Sequence, residues 1–460
     1  MQENKMGTRP IPALLVSMSL PPMISMLIQS MYNIVDSVFV ARYSEDALTA
    51  VSLAFPLQNF ILAVAVGTGV GLNSYISRRL GEGRREDANN AVVHGILLAV
   101  VSGLFFVLLG AVAIRPFFHM FTTDQTVFDY ACTYSYIVVF FAFGQQVHIA
   151  IEKVFQATGK MLFPMALQAI GAIINIILDP IMIFGLFGFP AMGVAGAAVA
   201  TVIGQLTAMT LSVLVLLVFK HEVKADFRHF HFDAGMVKDI YVVGLPSVLM
   251  NSLGSVLVMG LNAILVRFSN TAVSVFGLYF KLQTFVYMPV SGLIQGTMPI
   301  MGFNYGARKR ARLMQAFRLA MIITAVIMLL GNLLFLLCPE WLLRLFDAEG
   351  DLLTLGVDAL RIISCGFLPA TLGFIIATLF QAMGRGGSSL VIFLLRQFAI
   401  TLPAAFLLAG PLGLNGVWIA FPLAEVIAAA VSLVLYRRAR RRDPVLSGEC
   451  AQPDAAVEAG

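Results

Sequence analysis

Charged residues are scarce in this chain of 460 residues. Asp, Glu, Lys and Arg together make up only 12% of it, and hydrophobic residues make up 59%. An ordinary soluble protein has about 25% charged residues. The composition therefore excludes a soluble globular protein and indicates a protein that lies within a lipid bilayer.

Sequence signals for metal, redox and nucleotide chemistry are also absent. The four cysteines, at positions 132, 338, 365 and 450, have neither zinc-binding nor redox spacing. No GxxxxGK[ST] phosphate loop and no HExxH protease motif occurs. We therefore expect no enzymatic activity, no cofactor and no bound transition metal.

Long apolar segments fill most of the chain. A helix needs about 20 apolar residues to cross a hydrocarbon core, where the backbone must satisfy its own hydrogen bonds. The sequence therefore predicts an all-α integral membrane protein with twelve transmembrane helices. The predicted segments are 11–40, 47–77, 89–114, 127–155, 161–184, 193–220, 236–268, 273–302, 313–337, 353–383, 388–409 and 413–436.

The distribution of basic residues predicts the orientation. The two ends of the chain and alternate loops hold 23 of the 30 lysines and arginines. Loops rich in Lys and Arg stay in the cytoplasm. We therefore expect a multi-pass protein of the cell membrane with both termini cytoplasmic. Because this asymmetry accounts for the net charge of +5, a nucleic-acid partner is not needed to explain it.

The chain contains an internal repeat. At an offset of 225 residues, "FQATGK" (155–160) aligns with "FQAMGR" (380–385), and Gln58 aligns with Gln283. The repeat predicts a six-helix lobe over 1–219, a cytoplasmic loop over 220–235, a second lobe over 236–436, and a basic, then disordered cytoplasmic tail over 437–460. Two parallel repeats are a transporter architecture, with sites near the membrane midplane. A duplicated channel is the alternative from a different functional class.

The first predicted helix carries an acid at Asp36. Gln29, Asn33 and Asp36 share one helical face, and Tyr32 lies one turn before Asp36. An ionisable residue within a membrane helix costs a few kcal/mol, so it indicates a functional site. The alternative is that Asp36 is simply solvated at the exterior end of the helix, near Arg42.

The fifth predicted helix carries a second acid, Asp179. Asn175 lies one turn before it on the same face, and Pro180 follows it directly. Two carboxylates near one cavity repel each other when both are charged, so they are suited to binding a proton. The same oxygens, with Asn175, could instead hold a sodium ion. The residues alone leave both coupling ions open.

The second half of the chain lacks these acids. At the repeat offset, Asp36 becomes Leu261 and Asp179 becomes Ala404. We therefore expect the coupling ion to bind in the first half. Glu425 is the clear acid within a second-half segment, and we expect it to pair with Lys281 or Arg396 rather than to bind an ion.

The motifs, taken in order, resemble the multidrug and toxin extrusion (MATE) family. They are "YNIVDSVFVARYSEDALTAVSLAFPLQ", "RRLGEG", "FQATGK", "NIILDP" and "MGVAGAAVAT". The resemblance implies two six-helix lobes around a V-shaped cavity. It also implies export of organic cations or other drugs and toxins, coupled to inward flow of protons or sodium.

The resemblance also implies roles for particular residues. Asp36, Asn175 and Asp179 match the family's ion-coupling positions. Gln29, Tyr32, Asn33, Thr201 and Gln283 are expected to line the substrate and ion cavity. Helix seven has no carboxylate in its membrane part, so a second-lobe sodium site is not expected. We expect a monomer with small-molecule substrates, surrounded by membrane lipid. A flippase for lipid-linked sugars and a major-facilitator transporter are the alternative functions.

Overall fold

The computed structural model describes residues 4–219 and 221–449. The regular secondary structure of these residues is helical, with no β-strand. A short 3₁₀ turn spans Leu186–Gly188, and a π-helical segment spans Leu395–Ala399. The α-helices are α1 Lys5–Thr8, α2 Ile11–Tyr43, α3 Glu45–Gly81, α4 Arg85–His119, α5 Gln125–Phe140, α6 Ala142–Ala157, α7 Leu162–Phe184, α8 Val194–Val218, α9 Ala234–Leu265, α10 Asn270–Gly306, α11 Arg310–Leu337, α12 Pro339–Arg344, α13 Gly350–Ser364, α14 Phe367–Ala382, α15 Gly386–Leu394, α16 Thr401–Arg442 and α17 Pro444–Ser447.

The all-α membrane prediction is confirmed. Among the described residues, eight helical stretches are long and apolar enough to cross a membrane, or up to ten if each bent pair forms one span. The bent pairs are α5 with α6, at 46°, and α13 with α14, at 47°. The twelve predicted segments fall on these stretches and on α10, to within a few residues. The last two share the helical stretch Gly386–Arg442, which Gly413 interrupts with φ +58°.

The ends of several helices follow from single residues. Asp124 precedes α5, and its carboxylate accepts hydrogen bonds from the backbone N–H groups of Thr126 and Val127 at 2.8 and 3.0 Å. Helix α7 ends at Gly185, whose φ of +74° places it in the left-handed region. Glycine adopts that conformation without the steric penalty of a Cβ atom, so it stops the helix there.

The chain divides into two compact units. The first contains the chain up to Met23, residues Gly81–Gly83 and the chain from Leu249 onward, and the second contains Ile24–Leu80 and Arg84–Val248. Helix α2 therefore contributes to both units, and the division falls between Met23 and Ile24, just after Pro21 and Pro22. The units are therefore divided within α2 and again between Val248 and Leu249, whereas the repeat suggests a single division in the loop over 220–235.

Each unit has its own buried core. In the second unit, small residues of α3, including Ala47, Ala50 and Ala54, pack with buried aromatic residues such as Phe106 and Phe118. In the first unit, the core is built around large side chains that include Tyr279, Phe335, Phe367 and Trp418. Small residues let helices approach closely where lipid offers no hydrophobic driving force between them.

Glycine in "GTGVG" (67–71) serves this close packing. A Cβ atom on Gly71 would lie 2.1 Å from the backbone oxygen of Ile240, and one on Gly67 would lie 2.4 Å from the nitrogen of Val248. Both neighbours belong to α9 within the second unit. The glycines are therefore required by the approach of α3 to α9, and no nucleotide site is involved.

The end of the tail is ordered as far as it is described. Helix α16 continues through Arg442, and Asp443 then begins α17 by accepting backbone hydrogen bonds from Val445 and Leu446 at 3.0 and 3.3 Å. Asp443 is buried and pairs with Arg385 at 2.7 Å. The disorder predicted for the last residues falls mostly on 450–460, which lie outside the described residues.

The predicted loop between the halves docks on the second unit through His94 of α4. The Nδ1 atom of His94 lies 2.9 Å from the backbone oxygen of Asn90, which can only accept, so Nδ1 carries the proton. The Nε2 atom then accepts a hydrogen bond from the backbone N–H of Asp233 at 3.1 Å. Neutral His94 therefore holds the end of the loop.

His221 holds the start of the same loop in a similar way. Its Nε2 donates to the backbone oxygen of Val215 at 2.8 Å, and its Nδ1 accepts from the ammonium of Lys160 at 3.0 Å. Burial lowers the pKa of His221, so the docked loop favours the neutral ring. Both histidines would lose an accepted hydrogen bond on protonation.

We predict that acid loosens this loop. Because docking favours neutral His221, the released loop binds protons more readily, and docking weakens as the pH falls through the ordinary histidine value of about 6.5. Hydrogen exchange of the amides over 223–233, corrected for the intrinsic effect of pH on exchange, should be faster at about pH 5.5 than at about pH 7.5.

A double variant with His94→Gln and His221→Gln supplies the control. Its amide side chains do not titrate, so its corrected exchange should change little over the same interval. Equal corrected exchange of the wild-type loop at both pH values would show that the histidines do not control docking.

Candidate functional site

The two membrane acids predicted from the sequence meet within the second unit. The carboxyl groups of Asp36 on α2 and Asp179 on α7 lie within hydrogen-bonding range of each other. Asp179 is 0% exposed, and Asp36 is half-buried. The structure therefore brings together residues that are more than 140 positions apart in the sequence.

Asn175 fixes the orientation of Asp179. With its amide oriented to satisfy both neighbours, its nitrogen donates to Oδ2 of Asp179 at 3.0 Å, and its oxygen accepts from the backbone N–H of Thr201 at 3.1 Å. Asn175 and Thr201 are both buried. The carboxyl group of Asp179 is thus held by an amide that is itself held by α8.

Two glycines make this arrangement possible. A Cβ atom on Gly204 of α8 would lie 2.8 Å from the backbone oxygen of Gly171 on α7. The two helices can approach closely only because both positions lack a side chain. This contact brings the backbone of Thr201 within reach of Asn175, one turn after Gly171.

Two tyrosines complete the polar cluster. The hydroxyl of Tyr32, one turn before Asp36, lies near the side chain of Thr201. The hydroxyl of Tyr134 of α5 also lies near Thr201, and its oxygen accepts a hydrogen bond from Nε2 of Gln58 at 2.9 Å. Thr201 therefore links α2, α5 and α7 around the two acids.

The other predicted cavity residues have different surroundings. Gln29 accepts a 2.6 Å hydrogen bond from Gln168 of α7, about two turns from Asp36 along α2. Asn33 is exposed, and only its backbone oxygen is engaged, by Ser37. Gln283 belongs to the first unit, where it lies near the hydroxyl of Tyr287. The described contacts place none of these three side chains against the two acids.

The acid pair has no basic partner among the residues that the structure describes. The described ion pairs include neither Asp36 nor Asp179. The Oδ1 atom of Asp36 is buried and accepts no hydrogen bond. A buried carboxylate without a partner is costly, so this site favours binding of a proton or another cation.

A transition-metal site is not formed by the described part of the chain. No group of three or more His, Cys, Asp or Glu residues there is arranged to hold a metal ion. A sodium ion near Asp36 would find the two carboxyl groups and nearby hydroxyl oxygens, whereas the amide oxygen of Asn175 already accepts a hydrogen bond from the N–H of Thr201.

A second buried polar site lies in the first unit. Arg396, within the π-helical segment, donates to Oε1 of Glu425 at 2.6 Å and lies 3.8 Å from the ring centroid of Phe374. The prediction that Glu425 pairs with a base is confirmed, with Arg396 as the partner. Lys281 is exposed. The positive and negative charges of this second site therefore balance each other.

Comparison with known proteins decides the family. The MatE family model matches residues 21–181 and 246–432, which is most of the chain. The chain belongs to the MatE family. It is therefore a multi-pass membrane transporter rather than an enzyme, and the predicted resemblance is confirmed. A channel and a major-facilitator transporter are excluded by this assignment.

Known relatives match this MATE transporter along nearly its whole length. A FAD transporter from Shewanella oneidensis is 28% identical over 433 residues, which are 93% of this chain and 95% of the relative. The multidrug export protein MepA of Staphylococcus aureus is 26% identical over 456 residues, 96% of each chain. A crystal structure of MATE in the bent conformation has a TM-score of 0.91 and 27% identity, covering 98% of this chain and 100% of that one.

Two members of the polar cluster were not predicted as site residues. Tyr134 lies in an apolar helix, where an aromatic residue usually serves packing. Gln58 aligns with Gln283 in the repeat. That alignment is a usable signal, since Gln58 donates a hydrogen bond to Tyr134 and Gln283 lies near Tyr287 in its own unit. For Tyr134 the sequence of this MATE transporter offers no comparable sign.

We predict that Asp36→Asn and Asp179→Asn each reduce export by about tenfold or more while the protein stays folded in the membrane. Each variant keeps the shape of the side chain but removes its ionisable carboxyl group. Because the two carboxyl groups act as one unit, the double variant should be little worse than either single variant. Export from cells of equal expression measures this.

Asp46→Asn is the matched control, because Asp46 is exposed in the first turn of α3. It should export like the wild type. Full export by Asp36→Asn, or independent and multiplying losses in the double variant, would contradict a shared function of the pair.

Proposed function

We propose that this MATE transporter exports organic cations from the cell by antiport with protons. It would do so as a monomer, with both termini in the cytoplasm. The observation that carries the proposal is the contact between the carboxyl groups of Asp36 and Asp179 in a site without a basic partner among the described residues.

Exchange follows from competition for this pair. Protons on both carboxyl groups leave a neutral site, whereas loss of protons leaves negative charge that attracts a cation. A bound cationic drug and a proton therefore exclude each other. Such exclusion is the requirement for antiport, since the site must release one ligand to accept the other.

The amide of Asn175 favours the proton over sodium. Its nitrogen faces Asp179, and its oxygen already accepts a hydrogen bond from Thr201, so it is a weaker ligand for sodium than an unengaged amide oxygen. Hard cations need several oxygen ligands at once, whereas a proton needs only one carboxyl oxygen and an acceptor. The two acids and the hydroxyl groups near them therefore suit a proton better than a sodium ion.

The surroundings of the acids support a cationic, partly aromatic substrate. Tyr32 is half-buried beside the acids, and aromatic rings attract organic cations through their π faces. The name of the relative from S. aureus, a multidrug export protein, agrees with this substrate class. Export of multiple drugs would follow from a site that recognises charge and an aromatic surface rather than one shape.

Export of a flavin dinucleotide is the second candidate. The relative from S. oneidensis is a FAD transporter, and Arg396 lies against Phe374 in the first unit, as a site for an anionic aromatic ligand would require. However, Glu425 already neutralises Arg396, whereas the acids of the second unit have no described counter-charge. We therefore favour the cation.

Helix α2 is the element that we propose to respond to protonation. Pro21 and Pro22 lie within it, and each removes a backbone hydrogen bond that would otherwise hold the helix straight. The related crystal structure in the bent conformation supports a bend within this family. Protonation of Asp36 would remove the charge that keeps this part of α2 solvated and would favour release of the substrate.

We predict that export by purified protein in liposomes follows an imposed pH gradient in sodium-free buffer. The driving force is the proton that binds as the cation leaves, so a protonophore should abolish uptake of an ethidium-like cation into inverted vesicles. The matched control is Asp46→Asn, which should respond like the wild type.

Two further uptake measurements test sodium as the coupling ion and FAD as the substrate. Uptake that needs a sodium gradient and ignores the pH gradient would replace the proton with sodium. Uptake of FAD in preference to the organic cation would replace the substrate and favour the second candidate.

A further inference from the structure

A groove of about 790 Å³ lies in the first unit, and it shares no lining residue with either polar site described above. It is formed by the start of α11 and the last turns of α16. Its lining combines arginines with apolar and aromatic side chains, among them Arg310, Arg318, Arg440, Phe317, Ile322 and Tyr436.

Three arginines give the groove a strong positive charge. Arg318 and Arg440 are exposed, and Arg310 is half-buried, with its Nε donating to the backbone oxygen of Leu446 at 3.0 Å. None of the three is paired with a carboxylate among the described ion pairs. The lining therefore holds three guanidinium groups without an anion.

The floor of the groove is apolar. The rings of Phe317 and Tyr436 stack with their centroids 5.3 Å apart and their planes at 12°. Further along α11, Ile322 is 59% exposed. Twelve residues separate Arg310 from Ile322, so the groove passes from charged to apolar over about 18 Å of helix.

We infer that this groove binds an anionic phospholipid of the cytoplasmic leaflet. The phosphate would contact the three arginines, and an acyl chain would follow α11 past Phe317 toward Ile322. Arginine binds phosphate oxygens through paired hydrogen bonds, and anionic lipids are attracted to basic segments beside membrane helices. The basic composition of these helix ends places them on the cytoplasmic side.

The same features disfavour other occupants. A free phosphate ion would use the arginines but leave the stacked rings and Ile322 without a purpose. A cationic drug would be repelled by three positive charges. The proposal is therefore independent of the transport site, which lies in the second unit.

The test measures thermal unfolding of the purified full-length chain in detergent with added lipid. Dioleoyl phosphatidylglycerol should stabilise the wild type, whereas dioleoyl phosphatidylcholine and inorganic phosphate should not. In a triple variant with Arg310→Gln, Arg318→Gln and Arg440→Gln, the apparent affinity for phosphatidylglycerol should fall by about tenfold or more.

A second triple variant controls for net charge. Arg437→Gln, Arg438→Gln and Arg441→Gln remove the same charge from exposed positions of α16 that do not line the groove, and this variant should keep the wild-type affinity. The single variant Arg318→Gln covers the case in which the triple variant fails to fold. It should fold like the wild type, because Arg318 is exposed and makes no described hydrogen bond within the chain. It should also weaken binding of phosphatidylglycerol.

Three outcomes would overturn the inference. Equal loss of affinity in both triple variants would show that net charge alone attracts the lipid. Equal stabilisation by inorganic phosphate would assign the site to the free ion. Wild-type affinity in Arg318→Gln together with the groove triple variant would remove the arginines from lipid binding.

Discussion

A pair of carboxyl groups, one buried and one half-buried, must be neutralised, and this requirement shapes the first-half helices of this transporter. Asp36 and Asp179 lie within hydrogen-bonding range, and the described ion pairs supply no base to either. Removing two charges from water costs several kcal/mol for each ion unless a partner compensates. A proton and a cationic substrate can each act as that partner. Because they cannot do so together, this electrostatic constraint would provide the exchange that the proposed antiport needs.

The surrounding structure keeps this pair in place. Gly171 and Gly204 let α7 and α8 approach, so that Asn175 can bridge Asp179 and the backbone of Thr201. Thr201 in turn lies near the hydroxyl groups of Tyr32 and Tyr134. The first unit is different, because Arg396 and Glu425 balance each other there. Two halves that arose from one repeat thus carry different chemistry, with uncompensated acid in one and a neutral ion pair in the other.

Much of this arrangement could be predicted from the sequence, for identifiable reasons. Twelve apolar segments follow from the length of helix that a bilayer requires, and Asp36, Asn175 and Asp179 are conspicuous because polar groups are costly there. The sequence could not reveal Tyr134, since a tyrosine in an apolar helix is equally suited to packing. It also did not predict that α2 divides between two units after Pro22, since helical periodicity continues through both prolines. Contacts between distant parts of the chain decide the role of Tyr134 and the division of α2, and the local sequence pattern does not indicate them.

The most direct measurement of the central idea is the number of protons released when an organic cation binds. Purified protein in weakly buffered detergent solution, mixed with saturating substrate and a pH indicator, should release protons in proportion to the substrate bound. The release should disappear in Asp36→Asn and persist in Asp46→Asn. Binding with no proton release from the wild-type protein, or release that sodium ions alone produce, would contradict the competition between proton and substrate at Asp36 and Asp179.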